Sequence, residues 1–325
     1  MTNRSSTSWR RKWTYYLQHG DLLWWTLLSL AALLAVVLVL WIAWQLWTQS
    51  QEARQAFGWE FVSPWAKPAW NPALDKFQAW PAIYGSLITA LIALIVAVPL
   101  AVGIAIFLSE LAPAWLRSPL NYMVEMLAAI PSVVYGLWGI YVFLPLVVVP
   151  IGRALEPLGS LPVIGALFQG PTPASGFTRL GAALVLVIMI LPTIAAVSRD
   201  VLQAIPRNQR EAAMALGATQ WETVWKVLLP YGQSGILGAV ILGFGRAIGE
   251  TMAVTMVIGN SAGGGYSILR PGYTMASIIA NEFAEAVSDM HVAALMEIGL
   301  VLFAITFLLN ALARWLVVNR SIKRA

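Results

Sequence analysis

The sequence contains no cysteine, few charged residues and only two histidines. Charged residues make up 11% of its 325 residues, whereas hydrophobic residues make up 59%. A soluble domain needs roughly a quarter of its residues charged, so this composition and the mean hydropathy of +0.73 indicate an integral membrane protein. The lack of cysteine excludes a disulfide framework and a thiolate metal site. His19 and His291 are too far apart to form a metal-ligand spacing.

A nucleotide-binding loop is also missing. No GxxxxGK[ST] pattern occurs, and the triple glycine 263–265 is followed by Tyr266 rather than by a lysine. We interpret this run as a flexible outer turn. The chain is therefore expected to hydrolyse no ATP by itself and to carry no cofactor. Its net charge of +5 is modest, and in a membrane protein basic residues usually record topology rather than nucleic-acid binding.

Six apolar stretches are long enough to cross about 30 Å of hydrocarbon, so the sequence predicts an all-α integral membrane protein with six transmembrane helices. The predicted spans are Leu22–Trp47, Ile83–Leu108, Tyr122–Val149, Leu180–Val197, Gly235–Ile258 and Val292–Val318. The first apolar run is too long for a signal peptide and lacks a small-residue cleavage site. We therefore expect an uncleaved anchor.

The basic residues predict the orientation. With the N-terminus in the cytoplasm, thirteen of the twenty Lys and Arg residues fall on cytoplasmic segments and six on outer segments, with Arg246 inside the membrane. Cytoplasmic loops carry the excess of basic residues, so both termini are expected in the cytoplasm. We divide the chain into an N-terminal region with the first span and an outer loop (1–79), a transmembrane domain (80–320) and a cytoplasmic tail (321–325). The Trp-rich outer segment 48–80 has no predicted role.

A polar segment, residues 206–230, separates the fourth and fifth predicted spans. Pro206 is expected in the first turn of a short helix that continues to Leu216, where Gly217 ends it. Thr219 begins a T-x-x-E capping box of a second helix. Pro230 is expected to close that helix. The second helix places apolar residues on one stripe, namely Trp221, Val224, Trp225 and Leu228.

Such a helix pair could lie on lipid or dock on a soluble protein. Its pattern resembles the EAA motif of ABC-importer permeases, EAA-x3-G-x9-I-x-L-P. In this sequence the motif residues are Glu211, Ala212, Ala213, Gly217, Val227, Leu229 and Pro230. The one departure is Val227 in place of isoleucine, which is sterically mild. The resemblance implies that segment 206–230 contains a cytoplasmic coupling helix that fits a cleft of a separate ATPase subunit, which binds ATP and magnesium.

Two charged residues lie within the fifth predicted span. Arg246 is about eleven residues into it, about 16 Å at 1.5 Å per residue and close to the middle of the bilayer. An ionisable residue at that depth marks a functional-site hypothesis. Glu250 lies four residues later on the same helical face, so the two are expected to pair. The pair could only hold helices together, or Arg246 could meet an anion on a transport path, since a guanidinium offers bidentate donors to phosphate oxygens.

Three longer stretches, residues 127–139, 191–206 and 245–260, resemble the permease subunits of high-affinity phosphate ABC importers. The sequence GETMAVTMVIGN is more similar to the PstC type than to the homologous PstA type. The resemblance covers roughly residues 80–320. It implies a bacterial inner-membrane permease with a PstA-type permease partner, two PstB-type ATPases and a PstS-type periplasmic binding protein. It also implies that Arg246 and Glu250 act in phosphate passage.

Alternatives remain at this point. The chain could serve a different oxyanion, act as an ion-driven transporter or channel, or be a phosphate-sensing scaffold. Glu125 and Glu297 lie inside apolar runs and could be partners of Arg246 or line a pore, so their roles stay open. Three further charged residues at cytoplasmic helix ends are expected to be solvated, namely Glu110, Arg199 and Asp200.

Overall fold

The structure is a computed structural model that describes residues 21–65, 70–261 and 265–322. The predictions made for the basic N-terminal residues, for His19, for Gly263 and Gly264 and for residues 323–325 of the tail lie outside these ranges. By contacts between Cα atoms the chain forms two compact units, residues 1–49 and 50–325. The first unit contains a single described helix, α1, which is apolar around its whole circumference.

The described part of the chain is helical, and its one β-bridge joins Asn71 to Lys76. The α-helices are α1 (Asp21–Gln49), α2 (Gln51–Phe57), α3 (Trp80–Ile106), α4 (Ala114–Ala129), α5 (Ser132–Trp138), α6 (Val149–Leu155), α7 (Arg179–Gln203), α8 (Arg207–Ala215), α9 (Gln220–Thr223), α10 (Leu229–Gly249), α11 (Met252–Val257), α12 (Met275–Glu282) and α13 (Asp289–Ile322). Wide π-turns occupy Phe107–Leu111, Gly139–Val148 and Val224–Leu228.

Within the described ranges, six helical stretches are long and apolar enough to cross a membrane, as predicted. These spans one to six are Leu23–Gln49, Trp80–Leu111, Ser132–Ser160, Arg179–Gln203, Gln220–Gly249 and Asp289–Trp315. The number of spans is therefore confirmed. The bounds of the third and fifth differ most from the predicted ones.

The third predicted span, Tyr122–Val149, is wrong as a single helix. Helix α4 ends before Ile130, which has extended backbone angles (φ −64°, ψ 129°) and precedes Pro131. Proline disfavours the helical conformation of the residue before it, so the chain breaks here. Span three starts after this break and continues to Ser160.

The prediction that Pro230 closes a separate helix is also wrong. Helix α9 passes through the π-turn Val224–Leu228 directly into α10, so span five begins at Gln220 rather than at Gly235. Proline has no amide N–H and is tolerated in the first turn of a helical segment, which is where Pro230 lies in α10. The capping box therefore begins span five itself.

The core of the second unit lies around span four, which packs against spans two and five. Span two contributes a stripe of fully buried alanines at helical spacing, namely Ala90, Ala93, Ala97, Ala101 and Ala105. Small residues let two membrane helices approach closely, because lipid supplies little hydrophobic driving force between them. Leu186, Ile190 and Ile194 of span four belong to the same core cluster as the first four of these alanines.

Gly85 of α3 illustrates how tight this packing is. A Cβ at Gly85 would lie 1.9 Å from the backbone oxygen of Tyr273, whereas one at Gly103 of the same helix would meet nothing within 4 Å. We expect Gly85→Ala to destabilise the folded chain by ~1–3 kcal/mol because a backbone atom cannot move aside easily. Gly103→Ala is the matched control and should be neutral or stabilising by up to about 1 kcal/mol. Thermal unfolding in detergent checks both, and equal stability of the two variants would contradict this packing.

Candidate functional site

The polar segment between spans four and five folds as a short helix and a turn. Helix α8 follows Pro206, which lies just before the helix rather than in its first turn. Gly217 has φ +86°, a left-handed conformation that favours glycine, and so ends the helix as predicted. The capping box is confirmed as well. Thr219 Oγ1 accepts a hydrogen bond from the Glu222 amide at 3.2 Å, and the Thr219 amide donates to Glu222 Oε2 at 3.1 Å.

The predicted apolar stripe of the second helix divides into two faces. Val224 and Leu228 are buried among residues of spans two and four. Trp221 and Trp225 are 58% and 53% exposed, and their rings lie 5.5 Å apart in an edge-to-face arrangement. A π-turn has more residues per turn than an α-helix, so the stripe expected from a 3.6-residue period does not stay on one side.

The EAA residues occupy two helices. In α8, Ala213 is buried, while Glu211 and Ala212 are exposed. The C-terminal part of the motif lies half-buried at the start of span five, namely Val227, Leu229 and Pro230. The exposed surface of the segment is thus formed by α8, by the turn after it, where Leu216 is 90% exposed, and by the Trp221 and Trp225 rings.

Arg210 in α8 anchors this segment to the rest of the molecule. Its Nη2 lies 2.7 Å from Glu110 Oε1 and its Nε lies 3.0 Å from Glu110 Oε2. The guanidinium also donates to the backbone oxygens of Ile205 (2.6 Å) and Leu202 (2.7 Å). The expectation that Glu110 is solvated is therefore wrong. A partner one hundred residues away in sequence holds the Glu110 side chain in a mostly buried position.

Arg246 lies near the end of α10 and points towards span four. Its Nη1 donates to Thr193 Oγ1 at 3.3 Å. Thr193 is fourteen residues from the start of α7, about 21 Å along a helix, which places Arg246 near the middle of span four. Pro192 precedes Thr193 and supplies no amide N–H to the turn before it.

The predicted ion pair between Arg246 and Glu250 is not formed. No carboxylate of the described residues lies within 4.0 Å of the Arg246 guanidinium. Helix α10 ends at Gly249, and Glu250 has extended backbone angles (φ −67°, ψ 124°), so the two side chains do not share a continuous helical face. Glu250 Oε1 instead accepts a long hydrogen bond of 3.4 Å from the Ala253 amide of α11. Span five is thus interrupted beside Arg246.

Glu125 and Glu297 do not pair with Arg246 either. Glu125 Oε1 lies 3.4 Å from Arg199 Nη2, so it joins α4 to span four at the end of the helix. Arg199 is mostly buried, contrary to expectation, whereas its second partner Asp200 is largely exposed as predicted. Glu297 is 5% exposed, and its Oε2 makes no hydrogen bond with the described residues.

Segment 48–80 is held by a cluster of contacts that the sequence does not reveal. Glu282 Oε2 accepts a hydrogen bond from Trp70 Nε1 at 2.7 Å and lies 3.0 Å from His291 Nε2. The Phe77 ring stacks on His291 with centroids 5.2 Å apart. Burial raises the pKa of Tyr273 to about 12, and the nearby Glu282 carboxylate adds to this effect, so Tyr273 stays neutral. The cluster links the segment before span two to the region before span six.

Six membrane spans, a broken fifth span and an exposed polar helix between spans four and five define the transmembrane subunit of a transporter. The family described as "Binding-protein-dependent transport system inner membrane component" matches residues 97–319, and the chain belongs to this family. It is accordingly a multi-pass inner-membrane permease subunit and not an enzyme. Importers of this family combine such a subunit with a permease partner, an ATPase and a substrate-binding protein.

Curated relatives are similar along most of the chain. The "Phosphate transport system permease protein PstC" of Xylella fastidiosa (strain 9a5c) is 45% identical over 271 residues, which are 83% of each chain. The protein of the same name from Pasteurella multocida (strain Pm70) is 48% identical over 271 residues, again 83% of each chain.

Solved structures are similar in fold. A chain of the bacterial alginate ABC transporter, crystallised with an alginate pentasaccharide-bound periplasmic protein, aligns with a TM-score of 0.56. The alignment covers 96% of both chains at 15% sequence identity. At this identity the likeness shows the ABC importer permease fold alone.

Proposed function

We propose that the chain is the PstC-type permease subunit of an ATP-driven importer of inorganic phosphate. The relatives that are 45% and 48% identical to it carry the name of a phosphate transport permease, and they match it over most of their length. The likeness extends to the region that contains Arg246, the residue best suited to meet an oxyanion.

The observation that carries this proposal is the unneutralised charge of Arg246. Its guanidinium contacts the middle of span four, the residue is only half-buried in this single chain, and it makes no ion pair with the described residues. Thr193 accepts one hydrogen bond, so most of the N–H donors remain for a ligand. Guanidinium and phosphate fit as a bidentate, charge-assisted pair. We therefore assign Arg246 to the phosphate path.

In this proposal the role of Glu250 differs from the ion pair with Arg246 that its four-residue spacing indicates. Its side chain accepts a hydrogen bond from the Ala253 amide, which maintains the break in span five. Because of this break, Arg246 lies near a helix end rather than in the middle of a helix. Discontinuous helices are typical of transporter binding sites because they leave polar groups available at membrane depth. Glu250 therefore shapes the path without neutralising Arg246.

In this proposal, ATP hydrolysis by a partner subunit drives transport through the segment between spans four and five. Residues 206–230 form the coupling segment, and the exposed residues Glu211, Ala212 and Gly217 face a PstB-type ATPase, which alone binds ATP and magnesium. Val227, Leu229 and Pro230 join that surface to span five. A PstA-type permease completes the path, and a PstS-type binding protein delivers phosphate outside. The chain itself carries no cofactor.

The orientation and division of the chain follow from the same proposal. Both termini lie in the cytoplasm, which places segment 206–230 beside the ATPase. Residues 80–320 form the permease domain, residues 1–79 add the first span and an outer segment, and residues 321–325 form a tail.

Substrate competition tests this function. The assembled importer in proteoliposomes, with ATP inside and the binding protein outside, should take up labelled phosphate. Arsenate should compete because of its similar shape and charge, whereas sulfate and molybdate should compete weakly. Uptake that is insensitive to unlabelled phosphate, or that follows sulfate or molybdate, would assign the chain to another oxyanion.

A further inference from the structure

The coupling helix α8 has little apolar contact with the membrane domain. Ala213 is the only buried residue among its nine, and the helix begins after the exposed Pro206. Because so little of α8 is buried, packing alone cannot transmit a movement of this helix to the spans. Whatever displacement reaches the spans must pass through the few strong contacts that α8 makes.

The Arg210 guanidinium makes the strongest of these contacts. Two of its hydrogen bonds go to Glu110 in the π-turn at the end of span two, and two go to the backbone oxygens of Leu202 and Ile205 at the end of span four. One side chain thereby joins the coupling helix to two spans. The bidentate geometry fixes its orientation as well as its distance.

The contact between Arg210 and Glu110 is partly shielded from solvent. The side chains of Arg210 and Glu110 are only 18% and 15% exposed, and Val224 and Leu228 of span five line a small cavity together with them. The low exposure of both side chains reduces the competition from water, and their outer side lines an open polar cavity with Ser109, Asn121 and Gln203. The neighbouring pair of Lys226 and Glu222, with side chains 72% and 41% exposed, lacks this shielding.

The two joined spans lead towards the proposed phosphate path. Leu202 and Thr193 are on the same helix, α7, nine residues or about 14 Å apart. Thr193 accepts the hydrogen bond from Arg246. A shift of α8 that pulls on the end of span four therefore acts on the helix that positions Arg246.

We propose that the partly buried pair of Arg210 and Glu110 transmits movement of the coupling helix to the inner ends of spans two and four. Arg210 and Glu110 are positioning residues in this inference, because neither touches the transported ion. The inference rests on the proposed ATP-driven import, since it assigns the link between ATPase and path.

The variant Glu110→Gln tests this link, because it removes the charge and keeps the side-chain size. We expect the complex to assemble and to hydrolyse ATP, while phosphate uptake per ATP falls about tenfold, within the usual range of coupling between sites. The control is Glu52→Gln, at an exposed carboxylate of α2 outside the coupling segment. An exposed surface charge contributes little, so uptake per ATP should be unchanged.

Either of two results contradicts the inference. One is normal uptake per ATP in Glu110→Gln, and the other is loss of assembly, which would give the pair a purely structural role. A wild-type importer without ATP-dependent phosphate uptake would instead overturn the proposed function.

A second arm uses the absence of native cysteine. Glu110→Cys and Arg210→Cys are combined and joined by a short bis-maleimide. Linked protein should recover uptake per ATP relative to unlinked protein, and no recovery contradicts a mechanical link.

Discussion

Arg246→Gln is expected to reduce phosphate uptake at least about 100-fold while the complex still assembles. Hydrogen bonds to a charged group contribute about 1.5–3 kcal/mol each, so losing the guanidinium removes most of the affinity of the path for an oxyanion. The packing around residue 246 tolerates glutamine because Arg246 is only half-buried and forms no ion pair with the described residues. Labelled phosphate uptake and co-purification of the subunits measure the two effects separately.

The control for this variant is Arg153→Gln. Arg153 is exposed on α6 near the C-terminal end of span three, so its loss should leave uptake unchanged. Failure of Arg246→Gln to assemble would mean that Arg246 holds helices together instead of meeting an anion. Full uptake by the variant would remove Arg246 from the path altogether.

Ala212→Trp is expected to prevent capture of the ATPase and thereby to abolish ATP-dependent uptake. Ala212 is exposed on α8, so the folded chain can accommodate a large ring there. A partner that fits closely against an alanine cannot accept the added volume, because interface cores are packed like protein interiors. Co-purification of the ATPase with the permease measures the effect directly.

A tryptophan at another exposed alanine provides the comparison. Ala154 lies on α6 near the C-terminal end of span three, away from the coupling segment in sequence, and Ala154→Trp should leave ATPase capture intact. If Ala212→Trp still captures the ATPase, the docking surface lies elsewhere. If both variants lose it, the substitution disturbs the fold instead.

Local signals in the sequence predict the local structure well. The T-x-x-E pattern at Thr219 and the glycine at 217 act within a few residues of themselves, so the cap and the helix end appear where the pattern places them. The number of spans is equally readable, since crossing a bilayer requires a long apolar run wherever it occurs.

The errors arise where an uninterrupted helix is assumed. The pairing of Arg246 with Glu250 follows from a spacing of four residues, which brings side chains together only in a continuous helix. The structure ends α10 at Gly249. The glycine just before Glu250 is the one signal in the sequence that could have indicated the break. At Pro230 the error is the opposite one. The sequence predicts a helix end there, whereas the helix continues through the π-turn before it.

Contacts between distant segments are the part that a single sequence cannot supply. Glu110 and Arg210 are one hundred residues apart, and Trp70 and Glu282 are 212 apart. Nothing in the local pattern of either pair distinguishes it from solvated charges and interfacial aromatic residues. Both pairs depend on the order in which the spans pack, which only the three-dimensional structure provides.

We expect this chain to pass phosphate only when a separate ATPase drives it through segment 206–230. The most direct measurement is uptake of labelled phosphate into proteoliposomes that contain the two permease chains, with and without the ATPase subunit. We predict accumulation above the outside concentration with ATPase and ATP, and none when either is omitted. Accumulation that persists without the ATPase would contradict the claim and indicate an ion-driven transporter.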